Sequence, residues 1–127
     1  NTKYKSIDNK YLVSKDGKIL YFASYDLTNI NGLPETIEII EEYAFYSHSN
    51  LLEVKLESPI KEIKYGAFDS CGSLKRIEIA NTIQEIRTNA FGRSNNLTEI
   101  IIHKKRGEIE GEPWGSVYGT RVITYDE

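Results

Sequence analysis

Residues 64–79 read KYGAFDSCGSLKRIEI. The stretch holds the chain's single cysteine, a Gly-Ala-Phe triplet and an apolar–charged alternation, and alone it passes for a reactive site. Set between residues 41–56 (EEYAFYSHSNLLEVKL) and 87–102 (RTNAFGRSNNLTEIII), it becomes one turn of a repeat. Ala44-Phe45, Ala67-Phe68 and Ala90-Phe91 recur with a fixed 23-residue period. So do Ile37/Ile60/Ile83, Ile40/Ile63/Ile86, Leu51/Leu74/Leu97, Val54/Ile77/Ile100 and Leu56/Ile79/Ile102. Seven apolar columns run through three turns without an insertion or deletion. Self-similarity at a fixed period of this length is the signature of a solenoid.

Each turn has the form L-x-x-I-x-I, a link, I-x-x-I, a second link and A-F. The run Leu74-Lys-Arg-Ile-Glu-Ile79 ends in period-2 alternation with β-branched residues, which predicts a short strand. The Ile60/Ile63 segment follows Pro59 and is short, so a second extended piece is expected, then about one helical turn over residues 65–69. At position 66, Gly and its counterpart Asn89 tolerate positive φ but Tyr43 does not, so no left-handed site is assigned to that column. Asn50, Ser73 and Asn96 stand just before the strands, where short polar side chains can satisfy turn backbone. Asp16-Gly17 between Leu12-Val13 and Ile19-Leu20 signals a hairpin. One unit cannot bury its own apolar face, so stability is shared between stacked neighbours.

The 127 residues favour one domain, long enough for a core without disulfides. Sixteen basic residues against nineteen acidic ones give a net charge of −3, so no nucleic-acid footprint is expected. No apolar run reaches membrane-span length, so no span is expected in this stretch. One Cys and two His exclude an internal disulfide and the usual structural zinc set. The first residues lack a signal-peptide core and an initiator Met, which predicts a fragment of something longer.

With these residues in place, the turns resemble the 23-residue Treponema-type leucine-rich repeats of BspA-like surface proteins. The family cadence is met by Leu33-Pro34, Ile37, Ile40, Ala44-Phe45 and Leu51 and by the two following turns. Cys71 stands on the family's Cys column, where this chain also places His48 and Ser94. Residues 11–21 resemble the hairpin such proteins insert between repeats. Residues 109–115 with Val122-Ile123 resemble their terminal cap. The resemblance implies an extracellular or cell-surface, adhesion-type protein whose partner is another protein, of a host, a neighbouring cell or a matrix.

The expected fold is an α/β-type leucine-rich repeat solenoid of mostly short parallel strands with brief helical turns. Residues 1–26 are read as a partial turn and hairpin, 27–102 as the 23-residue repeats and 103–127 as the cap. In-register parallel strands set column mates side by side. The outward columns are then Glu53/Arg76/Glu99, Lys55/Glu78/Ile101 and Glu57/Ala80/His103. Glu53, Lys55, Arg76, Glu78, Glu99, Ile101 and His103 are the candidate partner-binding residues of the concave face. The competing reading is a solvated face of mutually satisfied charges, since exposed pairs are worth little. A passive spacer displaying another domain is the alternative function.

No enzyme and no cofactor are expected. Cys71 as a nucleophile would need a base such as His48 one turn away, yet its column accepts Ser and His as freely, so a buried structural role is preferred. Glu38, Glu41, Glu42, Glu108, Glu110 and Glu112 lack calcium-loop or acid/base spacing. Asn96-Leu-Thr98 matches a glycosylation sequon at positions the repeat already demands. Lys104-Lys-Arg106 is too short for a nucleic-acid patch. Tyr11, Tyr21, Tyr118 and Tyr125 are expected to pack the ends.

Overall fold

The structure is a computed structural model and describes residues 3–57, 59–115 and 122–127. The described strands are, in chain order, β1 (Tyr4–Ile7), β2 (Tyr11–Ser14), β3 (Ile19–Ala23), β4 (Asn29–Asn31), β5 (Ile39–Ile40), β6 (Glu53–Leu56), β7 (Glu62–Ile63), β8 (Arg76–Ile79), β9 (Glu85–Ile86), β10 (Glu99–Ile102) and β11 (Val122–Tyr125). They form two sheets that enclose one core.

Alternation dictates the first sheet. In β6, β8 and β10 every second residue is buried, placing Val54, Leu56, Ile77, Ile79, Ile100 and Ile102 inside. The strands pair parallel, with Val54 opposite Ile77 and Ile77 opposite Ile100, as the repeat period requires. β4 and β11 extend the sheet to five strands in the order β11-β10-β8-β6-β4. The second sheet runs β1-β2-β3-β5-β7-β9. Its two-residue strands come from the I-x-x-I segments, which confirms the second extended piece. The hairpin pairs β2 with β3, and Gly17 sits at φ 79° with its amide 2.8 Å from Ser14 O.

The links do not contain the helical turns expected of them. Among the described residues there is no helix. Two columns in each turn are left-handed: Tyr43, Gly66 and Asn89 at φ 60°, 63° and 57°, and Ser47, Ser70 and Arg93 at φ 56°, 63° and 54°. A right-handed helix needs negative φ throughout. The amides also divide differently from a helix. Ala67 N bonds Lys64 O at 3.2 Å and Asp69 N bonds Gly66 O at 3.0 Å, within the turn. Phe68 N and Ser70 N instead reach forward to Ala90 O and Gly92 O, at 2.7 and 2.8 Å. Every second amide that would close a helix is spent on the next turn. The column at 66 is therefore left-handed even at Tyr43, against the sequence-based reading.

The aromatic column lies between the sheets. Phe45 and Phe68 stack at 4.7 Å with planes 6° apart. Phe91 follows at 6.0 Å, and Trp114, one repeat length after Phe91, closes the column at 6.2 Å. All four are buried. Full burial of each large apolar side chain contributes roughly 1.5–3 kcal/mol.

Phe68→Ala removes the middle of this stack, and a urea melt is expected to show a loss of roughly 3–5 kcal/mol; a loss below about 1 kcal/mol would contradict the stacked placement. Gly66→Ala meets both a positive φ and the Tyr43 ring, whose nearest atom lies 2.5 Å from where the new Cβ would stand. Because the Tyr43 ring is exposed and can swing aside, the cost expected in the same melt is the backbone's own, about 1–2 kcal/mol.

Candidate protein-binding face

The outward positions of the five-stranded sheet form three rows. The first is Asn29, Glu53, Arg76, Glu99, Val122; the second is Asn31, Lys55, Glu78, Ile101, Thr124. Glu57, Ala80, His103 and Asp126 follow at the same period just beyond the strands. The fold thus brings together all seven residues predicted from the repeat. It adds Val122, the most exposed large apolar residue described at 57%, which was read as part of the cap. The period would have revealed it, since Val122 lies one repeat length after Glu99.

Most charges on this face are satisfied within it. Arg76 Nε is 3.0 Å from Glu99 Oε1 on the next strand, and Arg76 Nη2 is 3.4 Å from Glu78 Oε1. Glu78 Oε2 lies 2.7 Å from His103 Nε2, and His103 Nδ1 lies 3.0 Å from Asp126 Oδ1. Lys55 and Glu57 pair more loosely at 3.7 Å. Such exposed pairs contribute little to stability individually. They lie beside the partly exposed Ile101, which stands opposite Glu78 on the neighbouring strand.

His103 stands between two carboxylates, so both ring nitrogens donate only in the imidazolium. The hydrogen bond to Glu78, then that to Asp126, holds its pKa above the usual histidine range. The same His103 bond, aided by Lys55 and Arg76, holds Glu78 below the usual carboxylate range against the opposing effect of burial.

Cys71 does not join this face. It is fully buried in the opposite link, and burial pushes its thiol up to about 12. Its Sγ donates to Phe45 O at 3.0 Å, as Ser94 Oγ donates to Phe68 O at 2.5 Å; His48 Nε2 lies 2.7 Å from Ala23 O. The column asks for a donor to the preceding turn's carbonyl, which Cys, Ser and His each supply. A thiol so protonated is a poor nucleophile. The Asn column behaves likewise: Asn50 Nδ2 reaches Tyr25 O at 3.0 Å and Asn96 Nδ2 reaches Gly72 O at 2.6 Å. Arg106 lies 4.7 Å over the Tyr125 ring and pairs with Glu127 at 3.0 Å, so the basic run serves the C-terminal end. Tyr125 is buried there, Tyr11 and Tyr21 are half-buried at the other end, and Tyr118 lies outside the described residues. Among the described residues no cluster of His, Cys, Asp or Glu could hold a metal, and no helix is long and apolar enough to cross a membrane.

The bridge through His103 predicts a pH profile. Its contribution is complete below the ordinary histidine value of 6.5 and is lost as pH rises through the raised value. The contribution of Glu78 is complete above 4.5 and is lost as pH falls through the lowered value. Both act fully between 4.5 and 6.5. Urea midpoints are expected to fall above that window in the wild type and to stay flatter in His103→Gln; parallel curves would show that the bridge does not form.

A family model described as BspA type leucine rich repeat region, in six copies, matches residues 19–116. A leucine-rich repeat protein from Bacteroides capillosus superposes with a TM-score of 0.79 at 16% identity, covering 98% of this chain and 99% of the other. The leucine-rich repeat protein of T. pallidum superposes at 0.66 with 20% identity, covering 95% of this chain and 64% of its own. A leucine rich cell surface protein from Faecalibacterium prausnitzii superposes at 0.61 with 24% identity, covering 98% of this chain and 40% of its own. No curated protein matches. These likenesses show a shared parallel solenoid, and no enzyme family is among them. With the family model spanning most of its length, the chain belongs to the BspA-type leucine-rich repeat family.

Proposed function

We propose that this chain is a non-catalytic, adhesion-type protein-binding module of a cell-surface or secreted protein, and that its partner docks on the outward face of the five-stranded sheet. The observation that carries the reading is the change along that face. One row runs from Asn29 and Glu53 to the exposed Val122, and the other from Asn31 and Lys55 to Ile101 and Thr124. Ile101 and Val122, beside Arg76, Glu99 and His103, offer apolar anchors among polar neighbours, and a few such anchors supply most of the energy of a protein interface. The likeness to a leucine rich cell surface protein supports the surface location.

The ion pairs favour a second reading. Arg76, Glu78, Glu99, His103 and Asp126 satisfy one another without a partner, as a passive spacer displaying another domain would need. The two readings separate on an array of matrix and cell-surface proteins, with the wild type beside Ile101→Lys/Val122→Glu. A binding module is expected to retain a specific partner whose affinity falls at least about tenfold in the variant, with the melt unchanged to within about 0.5 kcal/mol. Retention no better than that of a scrambled solenoid, or equal binding by the variant, would sink the proposal.

A further inference from the structure

The two sheets do not end together. The five-stranded sheet runs on to β11, whereas the six-stranded sheet stops at β9. In a parallel ladder, successive residues send their backbone groups to opposite neighbours. Glu85 N turns to β7, bonding Lys61 O at 3.2 Å, so Ile86 and the carbonyl of Gln84 face the side where a further strand would lie. One turn earlier the matching carbonyls are occupied: Lys61 O also accepts from Gln84 N at 2.7 Å, and Ile63 O accepts from Arg87 N at 2.9 Å. Gln84 O, Ile86 N and Ile86 O have no such partner among the described residues.

The described residues that follow fill the core beyond β9 without bonding to its edge. Ile109, one repeat length after Ile86, is buried on the next apolar rung. Around it the loop bonds to itself: Glu108 N reaches Lys105 O at 3.1 Å, and Lys105 N reaches Glu108 Oε1 at 2.6 Å. Between this loop and the strand edge, and on over Glu38, Ile39, Lys61 and Glu62 of the two preceding turns, lies an open depression of about 720 Å³. Its charges do not balance. Arg87 is shared by Glu62 and Glu85, at 3.1 and 3.0 Å, and Lys61 is paired with Glu38 at 3.2 Å. The loop then adds Glu108 and Glu110, and the Glu110 carboxylate has no partner among the described residues. Five carboxylates thus face two cations.

An open strand edge is a template for an added strand, and proteins commonly guard such edges with charge. A net negative excess keeps two copies of this edge apart but attracts a basic segment, and the depression beside it is large enough for a peptide. We propose that it takes an extended basic peptide segment of a partner protein, added beside β9 as a further parallel or antiparallel strand. Gln84 and Ile86 would supply the main-chain bonds, and Glu85, Glu108 and Glu110 would meet alternate Lys or Arg side chains. This site lies on the other sheet from the face proposed above and stands or falls separately.

Fluorescence anisotropy of the 127-residue chain with three labelled ten-residue peptides tests it. One alternates Lys with Val, one alternates Glu with Val, and one is the Lys-Val peptide N-methylated at every second residue. The Lys-Val peptide is expected to bind at low salt and to protect the Ile86 amide from hydrogen exchange. The Glu-Val and N-methylated peptides, and Lys-Val on Glu85→Lys/Glu110→Lys, are each expected to bind at least about tenfold more weakly. Ile101→Lys/Val122→Glu is expected to bind the Lys-Val peptide as the wild type does. Equal binding of the N-methylated peptide would show charge attraction alone and overturn the proposal, even where the double variant fails to fold. An Ile86 amide already protected in the free chain would overturn it too, because the edge would then be closed by the chain itself.

Discussion

The structure rests on backbone hydrogen bonds that leave each turn in two directions. Strand amides reach back, as Lys64 N does to Ile40 O at 3.0 Å; link amides reach forward, as Phe45 N does to Ala67 O at 2.7 Å. A turn is therefore held by both neighbours, and its length cannot change without breaking bonds on both sides. That constraint accounts for the unvarying 23-residue spacing of the three central turns. It also explains the side chains tolerated at the Cys71 position. Each one carries a donor that can reach back to the preceding turn, which keeps a buried carbonyl satisfied where an apolar residue would orphan it.

Where the sequence spoke through periodicity, it spoke clearly. The buried alternation of β6, β8 and β10, the I-x-x-I strands and the Asp16-Gly17 hairpin follow from apolar spacing and turn chemistry alone. The links could not be read this way, because an I-x-x-x-A spacing of four suits a helix as well as a turn. What decides between them is the destination of the Phe45 and Phe68 amides, each of which bonds a carbonyl of the following turn. Tyr43 shows the same limit. Its local preference opposes a φ of 60°, yet the bonds of the flanking turns impose it. Tertiary structure overrides propensity here at a cost of about 1–2 kcal/mol, which the stacked core can carry.

The candidate face was legible in its columns and hidden in its pairing. Register follows from the repeat, so the neighbours of Arg76 could be named in advance. Which neighbour it prefers depends on side-chain geometry: Arg76 reaches Glu99 on one side and Glu78 along its own strand, and makes no ion pair with Glu53. Glu53 is left without an ion-pair partner among the described residues, beside the loosely held Lys55. Val122 was missed because the residues before it depart from the repeat, although its strand returns to it.

Ending a solenoid poses a problem that the central turns do not face, since each new turn exposes the apolar column it was meant to cover. This chain answers it separately for its three columns. Trp114 covers the aromatic stack with the largest available side chain and anchors its own indole to Glu110 O at 2.8 Å. Ile109 covers the column of Ile86 with a single residue. Among the described residues only the five-stranded sheet receives a whole strand, β11, pinned by the buried Tyr125, whose hydroxyl donates to Glu112 Oε1 at 2.6 Å. Among the described residues the apolar columns are covered at this end, while backbone pairing continues one strand further in the five-stranded sheet than in the other. Core closure and edge closure are separate physical requirements: the first follows from the hydrophobic effect and tolerates any side chain of suitable bulk, the second needs a strand in register. Glycines at φ 92° and 91° on either side of Ile109 turn the chain so that it meets the first requirement without the second, and β9 has no further strand beside it among the described residues.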